Sequence, residues 1–239
     1  KTVAFFHRIL GSALMNALAT GLRKISFNTI PQWNKYMPSG SSRINTEAYS
    51  TTTTGRQVVY FPSCINRFMG VSAEYRDEKQ LSETIIRLCE KAGYEVIFPE
   101  NLNNLCCGMA FLSKGYRKTG EKKSTELETA LLKTSNNGAL PVLCDMSPCL
   151  YTMKENFKSG IKLYEPVEFT LEVLMPHLQV VPVNESVTVF PVCSMKKMGL
   201  ENKLAKLAGM CCREVIVADT NCCGFAGDRG FTYPELNSH

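Results

Sequence analysis

Eleven cysteines stand in this chain of 239 residues, and eight of them fall into a repeating pattern. A lone Cys64 is followed by the pair Cys106-Cys107 with Gly108 directly behind it, and then by Cys144 and Cys149. Further on come a lone Cys193 and a second pair, Cys222-Cys223, again followed by glycine. Neighbouring cysteines point in different directions and a disulfide between them is strained, so such a pair is better suited to bridging metals than to bonding itself. Thiolate-only ligation by these cysteines suits iron–sulfur clusters first and zinc second; redox-active or merely structural thiols are the remaining readings. Gly108 is expected to turn the backbone with positive φ and to allow close approach.

The elements that must position these thiols can be read from the hydrophobic pattern. Short β-branched runs at Gln57–Phe61, Tyr94–Phe98, Leu140–Leu143, Lys162–Tyr164, Val187–Phe190 and Glu214–Val217 predict strands. Between them, Glu78–Ala92, Lys122–Ser135 and Glu168–Leu174 carry helical periods. Alternation of strand and helix predicts an α/β fold with mostly parallel sheets. The chain also repeats: Val58-Val59-Tyr60-Phe61-Pro62-Ser63-Cys64 answers Val187-Thr188-Val189-Phe190-Pro191-Val192-Cys193, and the two Cys-Cys-Gly segments answer each other in the same order. Two tandem related α/β units are therefore expected, the first over 56–183 and the second, truncated, over 184–239. Phe-Pro-x-Cys puts each lone cysteine just past the carboxyl end of a strand, where proline ends the ladder. In an open parallel sheet, loops at the carboxyl ends share one edge, and ligands bind there. Cys64, Cys106, Cys107, Cys144 and Cys149 are thus expected to face one crevice.

Before these units lies an N-terminal segment, 1–55. Phe6, Ile9, Leu10, Ala13, Leu14, Ala17, Leu18 and Leu22 recur at helical spacing and predict an amphipathic helix that packs on the domain or on an upstream one, with a membrane-surface role as the alternative. Its uncharged stretch is too short to cross a bilayer. Pro31 to Gly55 is polar and reads as a linker or extended arm. Opening at Lys1 without a methionine, the chain reads as a piece of something longer.

Composition narrows the function classes. With 44% hydrophobic and 21% charged residues the chain is ordinary globular material, and its net charge of +5 is a mild excess spread along its length. Three histidines and one tryptophan leave little for a histidine-rich metal site or a base-stacking platform, so nucleic acid is not expected as a partner. So many unpaired cysteines are expected in a reducing interior: the cytoplasm, with the inner face of the membrane as a further option. There is no Gly-x-Gly-x-x-Gly, no Gly-Lys-Ser/Thr loop and no Gly-x-Ser-x-Gly elbow. Cys89, mid-helix, reads as a small core residue, and Cys211-Cys212, ahead of a strand, as structural. Lys114 to Lys118 and Glu121-Lys122-Lys123 read as a solvated helix start before a docking patch. Asp228 and Arg229 read equally as a solvated loop pair or as a contact to substrate or partner.

The lone cysteine, the Cys-Cys-Gly and the later cysteine pair together resemble the cysteine-rich CCG domain family over most of the chain from Val58 onward. Such domains occur in one of the subunits of heterodisulfide reductase, in the iron–sulfur subunits of glycolate and lactate oxidation systems, and in the carboxyl-terminal part of FAD-linked D-lactate dehydrogenases. The last is favoured by Ile30-Pro31-Gln32-Trp33-Asn34 through Met37-Pro38, by Cys-Cys-Gly-Phe-Ala-Gly-Asp-Arg-Gly-Phe from Cys222, and by Pro234-Glu235-Leu236. The resemblance implies a 4Fe-4S type cluster on Cys64, Cys106, Cys107, Cys144 and Cys149. The spacer between Cys144 and Cys149 is longer than the family's, which leaves open which of the two is a ligand. Cys193, Cys222 and Cys223 would belong to a second site that lacks a closing cysteine pair. The resemblance further implies an FAD domain and a ferredoxin-like segment upstream, outside this chain, and a quinone, cytochrome or thiol as electron acceptor. The chain would be part of an FAD-linked oxidoreductase, relaying electrons and inactive by itself. The alternatives are a disulfide-reducing module acting directly on a thiol substrate and a zinc-bound or metal-free docking scaffold.

Overall fold

The computed structural model describes residues 2–31, 33, 38, 40–41, 44, 54–72, 78–219, 223–225 and 227–237. Most of the expected arm, and Cys222, lie outside the described residues. Two compact units are formed, one from 1–42, 68–80 and 219–239, the other from 43–67 and 81–218.

In the first unit, helix α1 (Thr2–Ile25) is broken at Gly11, whose φ of 69° no helix contains. Its lower half is held by Arg23, which donates to the carbonyls of Ile30 at 2.8 Å and Thr232 at 2.5 Å. Thr232 closes the short helix Arg229–Thr232, where Phe225 and Phe231 meet edge to face. Along α1, Phe5, Phe6, Ile9, Leu14, Leu18, Leu22 and Ile25 are exposed. No helix among the described residues is long and apolar enough to cross a membrane.

The second unit is the α/β body that the periodicity predicts. Strand β1 (Arg56–Phe61) leads into helix α2 (Cys64–Phe68); α3 (Leu81–Lys91) and β2 (Tyr94–Ile97) follow. Next come α4 (Met109–Leu112), α5 (Arg117–Thr134), β3 (Val142–Cys144), α6 (Ser147–Asn156), β4 (Leu163–Tyr164) and α7 (Pro166–Phe169), the last running on into a π-helical turn, Thr170–Leu174. The four strands form one parallel sheet in the order β2-β1-β3-β4. Further along the chain come β5 (Val183–Val189), α8 (Cys193–Lys197), α9 (Glu201–Cys211) and β6 (Cys212–Val217), with β5 and β6 paired in parallel.

Because side chains alternate along a strand, each face of the larger sheet builds its own core. Val59, Phe61, Val142 and Cys144 pack with Leu127 and Leu131 of α5 and Leu150 and Met153 of α6. Val58, Tyr60 and Leu143 pack on the other face with Ile85, Ile86 and Cys89 of α3 and Phe169 of α7. Burial on both faces is what a parallel sheet requires and explains the near-continuous apolar run Val58–Phe61. Cys89 is fully buried on the face opposite Cys107, Cys144 and Cys149, a small core side chain as its helical position implied. Ile86→Ala removes a fully buried side chain from this second core. It is expected to cost about 2–5 kcal/mol, read as a lower urea midpoint at unchanged slope.

The basic segment before and along α5 is exposed, and Arg117 pairs with Glu121 at 2.8 Å while Lys123 pairs with Glu126 at 2.7 Å. Such pairs within one helix face water and stabilise the helix by only tenths of a kcal/mol each. This is the solvated helix start that the charge pattern suggested.

Candidate metal centre

The carboxyl ends of the strands carry the thiols. Phe61, the last residue of β1, is in register with Cys144, the last residue of β3. Pro62 follows, and Cys64 then opens α2. Met146 is extended and Pro148 sits in the first turn of α6, so Cys149 falls in that same turn, back at the sheet edge. Past β2 a turn of 3-10 helix, Leu102–Asn104, delivers Cys106 and Cys107.

Gly108 then reverses the chain into α4. Its φ is +87°, and a Cβ there would lie 2.3 Å from the carbonyl oxygen of Gly120 in α5. Gly120 itself belongs to the buried stripe Gly120, Ser124, Leu127, Leu131 of that helix. Two glycines thus let a loop and a helix meet backbone to backbone. The Gly108 N–H donates to the Cys106 sulfur at 3.4 Å.

Every described cysteine is a free thiol. Four of them form a connected group. Cys64 neighbours Cys106, Cys106 neighbours Cys107, and Cys107 neighbours Cys149. Cys106 is half-buried, whereas Cys107 and Cys149 are each only 3% exposed. Cys144 is completely buried and its sulfur lies 3.8 Å from the Met146 carbonyl, with Cys107 an electrostatic neighbour. Cys193 opens α8 and is exposed; Cys223 is exposed, and Cys222 lies outside the described residues. Cys211 ends α9 and Cys212 starts β6, at the amino end of that strand as their spacing implied.

Cys64, Cys106, Cys107 and Cys144 are held neutral. The interaction with the Cys107 thiol, then burial, push Cys106 up. For Cys107 the interaction with Cys106 acts downward, but the interaction with Cys149 and burial outweigh it and push the thiol up to about 12. Burial, then Cys106, raise Cys64. Burial followed by the Asp145 charge raises Cys144. Ligation by these groups would therefore release protons, as binding of a metal to thiols does.

Two polar side chains that the sequence did not single out frame the group. Asp145 is buried, and it accepts from the Tyr60 hydroxyl and from the Ser63 N–H, both at 2.7 Å. It thereby ties the end of β3 to the residue before Cys64, and burial together with its charge pushes the Tyr60 phenol up. Arg67, one turn after Cys64 in α2, is buried over the Phe61 ring. Its Nη2 donates to the Leu105 carbonyl at 2.6 Å, its Nη1 to the Leu102 carbonyl, and its Nε to the Ser63 carbonyl at 3.4 Å. Beyond Arg67 a cavity of about 460 Å³ is lined by Ile44, Phe98, Glu100, Asn101, Leu102 and Asn104 among others. Further back, Glu165 caps α7 by accepting from the Val167 N–H at 2.6 Å and also accepts from Ser147, which fixes the start of α6.

Among the described residues, no three cysteine, histidine or acidic side chains are gathered around one point as a single metal ion needs. The donor chemistry nonetheless fits an iron–sulfur cluster. The group is all sulfur, and its members are spread along a chain of neighbours, as irons each taking their own thiolate require.

Residues 58–154 match the family model described as CCG: Cysteine-rich domain. Over 94% of its length the chain is 21% identical to one of the subunits of the anaerobic glycerol-3-phosphate dehydrogenase of Escherichia coli (strain K12). Over 66% of its length it is 25% identical to lactate utilization protein A 1 of Bacillus mycoides (strain KBAB4), covering 69% of that protein. The chain spans about half, 54%, of the length of the Escherichia coli relative. No solved structure matches it.

Proposed function

With residues 58–154 a cysteine-rich CCG domain related to part of an oxidoreductase, we propose that the chain is the electron-transfer portion of a flavin-linked dehydrogenase of 2-hydroxy acids, of the D-lactate-oxidising kind. The carrying observation is the connected thiol group Cys64, Cys106, Cys107 and Cys149 at the carboxyl edge of a parallel sheet. These cysteines would hold an iron–sulfur cluster of the 4Fe-4S type, with Cys144 beside them. A bound cluster supplies one-electron storage at a potential set by its ligands, hydrogen bonds and burial. The protein's own part is to fix the sulfurs, through Asp145 and the turn at Gly108, and to keep water from Cys107 and Cys149.

In this reading the flavin lies in a portion of the protein outside this chain, and electrons leave to a quinone, cytochrome or thiol acceptor. The thiols call for a reducing compartment, the cytoplasm or the inner membrane face. The two parallel sheets are read as the two related units, with Cys193, Cys222 and Cys223 marking the second site. Isolated, the chain is expected to leave D-lactate unoxidised.

The cavity beyond Arg67 favours a second reading, a disulfide-reducing module with a bound thiol substrate. Among the described residues no cysteine lines it, so a substrate there would not touch the thiols, and the relay is the stronger reading. The test is metal analysis of the full-length protein purified without oxygen, beside a Cys106→Ser/Cys107→Ser variant. Iron with matching acid-labile sulfide, absent from the variant, is the expected result. Zinc alone, or no metal in either protein, would overturn the relay and leave a docking scaffold.

A further inference from the structure

We propose that Arg67 positions the cysteine centre: its guanidinium ties the segment bearing Cys64 to the segment bearing Cys106 and Cys107 and places a positive charge among their sulfurs. This rests on the cluster reading above. Arg67 is 7% exposed and stands one helical turn after Cys64. Two of the carbonyls it holds, those of Ser63 and Leu105, belong to the residues directly before Cys64 and Cys106. The third, of Leu102, anchors the turn that delivers the cysteine pair. One planar fork thereby spans two chain segments far apart in sequence, which a lysine's single ammonium cannot reproduce.

The charge has a second consequence. Burial in this place disfavours the cation, and its electrostatic neighbours are Cys64, Cys106, Asp145 and Cys149. While the cysteines are thiols they offset little of that cost. Once they are thiolates around a cluster, the same cation offsets negative charge in a poorly solvated site. Reduction of a cluster adds one more electron. A fixed cation beside the thiolates therefore favours the reduced form and raises the reduction potential.

The experiment compares full-length wild type, R67Q and R67K, all purified without oxygen. Iron and sulfide content, far-ultraviolet circular dichroism and the cluster's midpoint by spectroscopic redox titration are measured for each. R67Q is expected to shift the one-electron equilibrium toward the oxidised form by tenfold, about 59 mV. R67K keeps the charge and is expected to shift it by less than threefold. Loss of iron from a folded R67Q while R67K stays loaded would support the same role, as would folded variants that both lose iron for want of the fork. Full iron in R67Q at the wild-type midpoint would overturn the proposal. Loss of helical signal in both variants would also overturn it, since Arg67 would then be holding only the fold. A wild type without iron and sulfide would instead bring down the cluster reading itself, and the wild-type measurement tells the two failures apart.

Discussion

Gly108→Ala is expected to destabilise the chain by about 2–5 kcal/mol, a large share of the stability of an ordinary domain. Two independent costs meet at this residue. Its φ of +87° lies in the left-handed region, where a Cβ crowds the following carbonyl. The same Cβ would also stand 2.3 Å from the Gly120 carbonyl oxygen, a backbone atom of α5 that cannot rotate aside. Relief requires α4 and the Cys106-Cys107 loop to move away from α5, which pulls Cys107 from the core. Gly120→Ala is the control. Its φ is helical, and its Cβ would meet the Leu112 side chain at 2.6 Å, which can swing away, and the Gly108 carbonyl oxygen at 3.2 Å, a tight approach that a shift of a few tenths of an ångström relieves. Urea unfolding should therefore rank Gly108→Ala well below Gly120→Ala. The reverse order, or a Gly108→Ala change under about 1 kcal/mol, would show that the loop is free to adjust and that the glycine is not fixed by packing.

The same region shows what the amino-acid pattern could and could not reveal. Strand β1 was legible because Val58–Phe61 is a continuous apolar run ended by Pro62, and a parallel sheet buries both faces of such a run. Gly108 was legible as a turn, since glycine directly after a cysteine pair has few other uses. Its partner was not, because the approach depends on how α5 lies against α4, and Gly120 inside a helix gives no sign of it. The strand expected at Leu140–Leu143 runs instead from Val142 to Cys144. Pro141 has no N–H for the ladder, and the Val142 N–H bonds across to Lys162. That shift turns Cys144 from a loop residue into a strand residue with its side chain in the core. Arg67 was illegible for another reason: a lone arginine in a short helix looks like surface charge, and only the tertiary path of Leu102–Leu105 buries it. Asp145, between two cysteines, looked like part of a spacer and is instead a buried acceptor for Tyr60 and Ser63.

Cys149→Ala is expected to abolish iron and sulfide binding in the full-length protein, whereas Cys144→Ala should retain both. The spacing of these two cysteines left their roles open, and their surroundings separate them. Cys149 neighbours Cys107 and so belongs to the run of sulfurs that continues through Cys106 to Cys64. Cys144 is completely buried among Val59, Phe61, Leu150 and Met153, and its sulfur faces the Met146 carbonyl. The insertion explains why: Asp145 and Met146 carry the chain from the end of β3 to the start of α6, and Pro148 begins the helix so that the second cysteine, not the first, returns to the edge. For Cys144→Ala the cost is one small buried group, about 1 kcal/mol of stability with the metal content unchanged. For Cys149→Ala the apo fold should survive, since alanine suits a helix's first turn, while the cluster loses a ligand that Cys144, packed into the core, does not replace. Iron and sulfide per chain, measured without oxygen beside unfolding midpoints, decide between them. Iron retained in Cys149→Ala but lost from a folded Cys144→Ala would reverse the assignment and show that the thiol beside Met146 turns outward when the cluster is assembled.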